Sequence, residues 1–346
     1  MGMKISENNY KWIYTYDYAP DSVWDEWRTN SGVPEWIAEE ASDVMARVYS
    51  GLPCFVLLSD SHFAYNGTWE DTVRCIGVIA HTIKSEELLA LEKGTESQDV
   101  DGHFIQGLRG IIHLGDLSDG LLSLDRTKAI EERCIKDMQS IGVPLYLTPG
   151  NHDYNYFRGN PEVCYPATPQ YYVDYDAIKL RMIFIDSFDP KEQVRYGFTD
   201  YCIHWLDAAL RSMPEGFVSI IFSHVPPLVR LQAWTKDIRN RNKLMDVLNA
   251  YADKILAFIN GHNHCDLLYN ELHNGKFPVI SINCAKCEYF LEHKPEGAHV
   301  PERALGDRTQ ESFDIMQIDT ANRKLYFTRF GAGEDRMVEG GKAMYL

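Results

Sequence analysis

Four apolar, strand-like runs along the chain each end in a polar cluster. Residues 54–58 lead into Asp60-Ser61-His62, and 110–114 into Gly115-Asp116-Leu117-Ser118-Asp119. Residues 217–222 lead into Ser223-His224, and 254–259 into Gly261-His262-Asn263-His264. A fifth run, 143–148, ends in Pro149 before Gly150-Asn151-His152-Asp153. Uninterrupted apolar runs suit strands covered on both faces. Helical spacing between them predicts helices over 71–92, 124–141, 199–211 and 237–252. Residues 171–174 and 179–186 predict a hairpin, with short strands to follow at 279–283, 313–318 and 324–330. Polar clusters at successive strand ends describe the carboxyl edge of an α/β sheet, where such folds place their sites.

The first fifty residues do not share this repetition. Four of the seven tryptophans (Trp12, Trp24, Trp27, Trp36) lie there. Pro34 opens a helical pattern in which Trp36, Ile37, Val44, Met45 and Val48 share one face, as expected of a helix packing on a larger body. The expected organisation is an aromatic-rich N-terminal appendage with one helix (1–50) and a single domain over 51–346. The stretch 92–101 is polar and predicts a surface loop. Residues 154–170, rich in Asn, Pro and Tyr, predict a long functional loop. The glycines of 329–336 predict a turn after the last strand.

Charge narrows the partners. With 34 Lys and Arg against 50 Asp and Glu, the net charge is −16. That disfavours a nucleic acid polymer or an anionic membrane, both of which are held by clustered Lys and Arg. No apolar run reaches the ~18 residues of a membrane span, and the N-terminus lacks the basic-then-apolar order of a signal peptide. Met1, Gly2 and Ser6 fit a myristoylation pattern too loose to carry an assignment. Eight cysteines without a regular framework suit a reducing, cytoplasmic setting. The lone Cys284/Cys287 pair is expected to be buried thiols.

The polar clusters supply Asp, His and Asn in the numbers that two adjacent metal ions need. Asp60 and His62, one residue apart, point to the same side of an extended segment. Asp116 can bridge two ions about 3.5–4 Å apart, giving each one carboxylate oxygen. Asn151 adds a neutral oxygen, and His224, His262 and His264 add imidazoles. Two carboxylates against two divalent ions leave a positive site, which suits a phosphate ester. His152 is not needed as a ligand and can act as general acid. Asp119 is expected to accept from its other ring nitrogen, and Asp153 to hold the Asn151-His152 loop. His113 is expected to be a satisfied core histidine.

The ordered set Asp60-x-His62, Gly115-Asp116-x-x-Asp119, Gly150-Asn151-His152-Asp153, His224 and Gly261-His262-x-His264 resembles the calcineurin-like metallophosphoesterase superfamily. The resemblance spans about 55–266 and implies a four-layer α/β/β/α sandwich with the metal site at the strand carboxyl ends. It implies two divalent ions, with Mn²⁺ expected and Fe or Zn²⁺ as alternatives. One would take Asp60, His62, Asp116 and His264, the other Asp116, Asn151, His224 and His262. A hydroxide bridging them would attack phosphorus while His152 protonates the leaving group. The implied substrate is a small phosphodiester or phosphomonoester. Gly120-Leu121 and Asp153 depart from the protein Ser/Thr phosphatases, which carry Arg-Gly and Glu there. Asp119 departs from the purple acid phosphatases, which place a tyrosine at that position. The pattern looks closest to the bacterial cyclic-nucleotide-phosphodiesterase-like branch. A nuclease, or a non-catalytic scaffold on the same fold, are the alternatives; the scaffold reading fits poorly with an intact His152. Tyr65, Asn66, Tyr154, Asn155 and Arg158 are the loop residues from which substrate choice is expected.

Overall fold

Residues 34–62, 68–93, 107–234, 237–272 and 275–346 are described by the computed structural model, with the backbone alone for Met3, Lys4 and 85–93. Trp12, Trp24, Trp27, Tyr65, Asn66 and the polar stretch from 94 to 106 lie outside the described residues.

Two sheets form the centre. The first contains β1 (Pro53–Leu58), β2 (Gly107–His113) and β3 (Leu145–Leu147), all parallel. The second contains β4 (Gln170–Tyr175), β5 (Leu180–Ile185), β6 (Val218–Ser223), β7 (Ile255–Asn260), β8 (Leu267–Tyr269) and β9 (Val279–Ser281). Its order is β4-β5-β6-β7-β9-β8, with β5, β6, β7 and β9 parallel and antiparallel strands at both edges. The chain then returns to the first sheet as β10 (Ser312–Asp319), β11 (Lys324–Gly331), β12 (Arg336–Glu339) and β13 (Lys342–Tyr345), giving the order β13-β12-β11-β10-β1-β2-β3. The expected hairpin is β4 and β5. The pair β12 and β13 was not expected, because strands of four residues carry no apolar run long enough to announce them.

Each fully buried central strand splits its side chains between two cores, as the pleat requires. Cys54, Val56 and Leu58 of β1 face α1 (Glu35–Arg47), α2 (Thr68–Lys93) and α3 (Leu124–Gln139), while Phe55 and Leu57 face the second sheet. On β6 and β7, Ile220, Phe222, Ala257 and Ile259 face the first sheet. Ile221, Ile255 and Phe258 on the same strands face α4 (Asp200–Arg211) and α5 (Arg241–Ala250). Helices thus cover the outer face of each sheet, with one apolar core between the sheets and one under each helical layer.

The Pro34-led helix packs into the first of these cores. Its Ile37 and Val44 are buried there, with Trp36, Met45 and Val48 packed alongside. Glu40 is buried on the same helix and accepts from Gly331 N at 3.0 Å. Trp36 is therefore a packing residue. Among the described residues no helix is long and apolar enough to cross a membrane, and all eight cysteines are free and buried, Cys284 and Cys287 included.

Candidate metal centre

The carboxyl ends of β1, β2, β6 and β7, with the loop after β3, meet at one place. Backbone bonds tie these ends together: Asp60 N donates to Gly115 O at 2.9 Å, and His62 N to Asp116 O at 3.1 Å. Five residues here adopt left-handed backbone: Asp60 (φ 53°), His62 (42°), Asp116 (56°), His262 (68°) and His264 (48°). Non-glycine residues in that region are costly and cluster where the surrounding structure enforces them for function. Gly150 and Gly261 are required by close approach, since a Cβ at either would collide with Asp116 or with Ser59 and Asp60.

Three groups of ligand-type side chains result, all buried: Asp60 with His62 and His264, Asp116 with His224 and His262, and, sharing His264 with the first, His264 with Cys284 and Glu288; the first two draw on the strand-end motifs. In the first, His62 Nε2 lies 3.1 Å from His264 Nε2, and His264 Nε2 lies 3.2 Å from Asp60 Oδ1. The other nitrogen of each ring faces a carboxylate: His62 Nδ1 to Asp119 Oδ1 at 2.7 Å, His264 Nδ1 to Glu288 Oε1 at 2.9 Å. Each Nδ1 is thus turned to a carboxylate, and the two Nε2 atoms face each other beside a carboxylate oxygen. In the second group, His224 Nδ1 donates to Leu114 O at 2.7 Å. Its Nε2 meets Asp116 Oδ2 at 3.2 Å, Asn151 Oδ1 at 3.1 Å and His262 Nδ1 at 3.2 Å. Imidazole nitrogens and carboxylate oxygens converge in both places, the donor set that a bound cation requires. The seven side chains fit two divalent ions on this ground.

The electrostatics agree. Burial alone would depress the His264 imidazole, but Glu288 and Asp60 outweigh it and hold it well above the usual histidine range. His224 is likewise raised to about 9 against its burial, chiefly by Asp116. Both positions call for a positive charge, which a proton or a metal ion can supply.

Three details differ from expectation. The Asp119 carboxylate binds His62; His152 is held instead through Nδ1 by the Asp119 carbonyl oxygen at 2.6 Å. The reason is geometric, since the turn after Asp116 points the Asp119 side chain back toward the β1 end. Asp116 turns only Oδ2 to both groups, 3.8 Å from His62 Nε2 and 3.2 Å from His224 Nε2, while Oδ1 accepts from His152 N at 2.8 Å. Tyr154 and Asn155, expected to face substrate, serve structure: Tyr154 Oη donates to Asp186 at 2.6 Å, and Asn155 Nδ2 donates to Gly120 O, Leu122 O and Thr127 Oγ1. Arg158 donates to Leu121 O.

Asp153 accepts from Asp116 N, Leu117 N and Gly150 N at 2.7–2.9 Å, stapling two motifs together. Burial, then the Asp116 charge, pushes its carboxyl up to about 7. His113 is buried and satisfied, facing Ser61 Oγ at 2.6 Å and accepting from Gly115 N. Burial depresses it to about 3, so it is neutral. Glu288 and Lys286 were missed by sequence reasoning. They follow β9 on a segment with no motif, and the nearest signal was the Cys284/Cys287 spacing beside them.

The chain belongs to the calcineurin-like phosphoesterase family, whose model matches residues 55–266. It is similar to a probable glycerophosphodiester phosphodiesterase, GpdQ, of Arcobacter nitrofigilis, 27% identical over 169 residues. That match takes in 44% of this chain and spans only 56% of the relative's length. Its fold resembles the crystal structure of a dimetal phosphatase from Danio rerio, with TM-score 0.55 and 14% identity, over 84% of this chain and 99% of the other.

Proposed function

We propose that this protein hydrolyses a small phosphate ester, a phosphodiester in the first instance, at two divalent ions. One would be held by Asp60, His62, Asp116 and His264, the other by Asp116, Asn151, His224 and His262. The observation that carries this is the convergence of buried imidazole nitrogens and carboxylate oxygens at two adjacent points. The ions, Mn²⁺ by preference, would supply Lewis acidity and an activated water.

The chain's own residues do the rest. Asp119 and Glu288 fix the ring orientation of His62 and His264. His152 sits against the first group, its ring 4.9 Å from that of His62. With Nδ1–H committed to the Asp119 carbonyl, only Nε2 is left to exchange a proton. Burial pushes this imidazole below the usual range, and an arriving phosphate anion raises it again, so the proton is taken up with substrate and passed to the departing oxygen. Phe157, half-exposed, packs 5.3 Å from His152, and Tyr196 lies 5.1 Å from His262. These rings suit a small organic alcohol rather than a polyanion, as does the net charge of −16. The relative's name supports the diester, and eight free cysteines support a reducing, cytoplasmic setting.

The test compares bis-p-nitrophenyl phosphate with p-nitrophenyl phosphate on metal-stripped protein reloaded with Mn²⁺. Diester turnover is expected, with His152→Ala losing about 10²–10⁴-fold in kcat while keeping both ions. Loss of the ions in that variant would make His152 a ligand. Silence on both esters with two ions bound would point to a more demanding natural substrate or to a scaffold role.

A further inference from the structure

The segment Cys284-Ala285-Lys286-Cys287-Glu288 is bolted to the first motif. Ala285 N donates to Ser59 O at 2.7 Å and Lys286 N to Asp60 O at 3.2 Å. Arg303, buried, clamps the other side through Cys284 O, Ala285 O and Lys286 O at 2.6–3.0 Å. This anchoring places two buried charges beneath one metal position only. Glu288 backs His264, and Lys286 Nζ lies 3.8 Å from Asp119 Oδ1 and 3.7 Å from Glu288 Oε2. The carboxylates behind both histidines of the first group thus share one ammonium. On the second side, His224 leans on a neutral carbonyl.

Resting on the reading of this place as a two-metal centre, we infer that Lys286 and Glu288 are an opposed pair that sets the centre's charge. Glu288 strengthens cation binding at the first position, and Lys286 keeps the loaded centre positive enough to bind a phosphate. The charge count requires it. Asp60, Asp116, Asp119 and Glu288 together cancel two divalent ions, and the buried ammonium restores one positive charge. A lysine buried in contact with carboxylates that serve metal-ligating histidines would otherwise only weaken the metal. Both act through other residues and through the field; neither touches the reacting atoms.

The pair predicts effects of opposite sign, measured by titrating Mn²⁺ into stripped protein and inorganic phosphate into Mn²⁺-saturated protein. Lys286→Met should bind Mn²⁺ at the first position several-fold more tightly and phosphate about tenfold more weakly, and Lys286→Arg should restore both. Glu288→Gln should do the reverse, weakening Mn²⁺ by about 10–100-fold and tightening phosphate. Should Lys286→Met fail to fold, Glu288→Gln carries the test by itself. Both ligands weakening together, or neither changing, would reduce the pair to structural support and overturn the inference. A wild-type protein that takes up no Mn²⁺ would instead overturn the two-metal reading itself.

Discussion

Glu311 is a carboxyl group with no place in the metal centre, and its surroundings make it a pH-dependent liability. It is fully buried, accepting from Thr72 Oγ1 at 2.7 Å and Gln310 Nε2 at 3.1 Å. Burial pushes it up to about 7 from 4.5. Because the folded value is raised, the native state holds the proton between about pH 4.5 and 7 while the unfolded chain has lost it. Its contribution is therefore fully present below 4.5 and is lost as pH rises through 7. Glu311→Gln should remove that loss, stabilising the protein at pH 8 by up to about 3 kcal/mol and much less at pH 5. Urea unfolding at the two pH values reads the difference. The site residues Asp60, His62, Asp116, Asn151, His224, His262 and His264 were legible as a group because chelation needs fixed residue types at strand ends. What one of them touches at its far side was not. Asp119 and His152 stand three residues or more from their partners along a turn, and only the turn's backbone decides whether a side chain or a carbonyl arrives.

Elements were legible in proportion to their burial. Strands β1, β5, β6 and β7 are six-residue, largely apolar runs with every position buried, and hydrophobicity marks them. Helix α4 begins where Thr199 caps it, its hydroxyl accepting from Cys202 N at 3.0 Å. Helix α5 starts later than its polar lead-in suggested, because Asn240 turns into the left-handed region at φ 57° before Arg241. The connection between β7 and its histidines is the least tolerant of change. Gly261 lies against Ser59 and Asp60, while His262 N donates to Asp60 Oδ2 at 2.9 Å. Gly261→Ala should push the two strand ends apart and cost both ions, leaving a folded protein with native far-ultraviolet circular dichroism. Metal analysis after gel filtration checks it; two retained ions would show that the loop gives way elsewhere.

At the scale of the whole molecule, a cation at either group would tie together side chains from separate strand ends. Chelation should therefore lower the thermal midpoint as well as abolish turnover, since ions that bind the native state alone stabilise it by mass action. A midpoint unmoved by EDTA after full depletion would argue that the ions contribute nothing to the fold. A second charged cluster is balanced within the protein. Arg329 and Arg336 both reach Asp266 and Asp314, with Arg329 at 2.7 and 3.0 Å, and all four are buried. Asp266 stands two residues past His264 and also accepts from Asn283 N at 3.2 Å. The C-terminal arginines read from sequence as flanks of a glycine turn. They are in fact what neutralises the end of the last motif, a pairing across more than sixty residues of chain that no local pattern can announce.

The same long-range pairing governs the order in which the chain can be completed. Strand β1 leads into Asp60 and His62 and sits between β2 and β10, with Val56 opposite Ile315 and Leu57 opposite Asp314. All seven candidate ligands lie before residue 265, yet the edge of β1 stays open until residues 312–319 arrive. During synthesis, a ribosome would hold a chain with every ligand made and one flank of its central sheet bare, an edge that invites another strand. The segment shared with the family is in this sense a chemical unit without being a folding unit. The last tenth of the chain, which contributes no ligand, is what shields the metal-bearing strand from its neighbours in the cell.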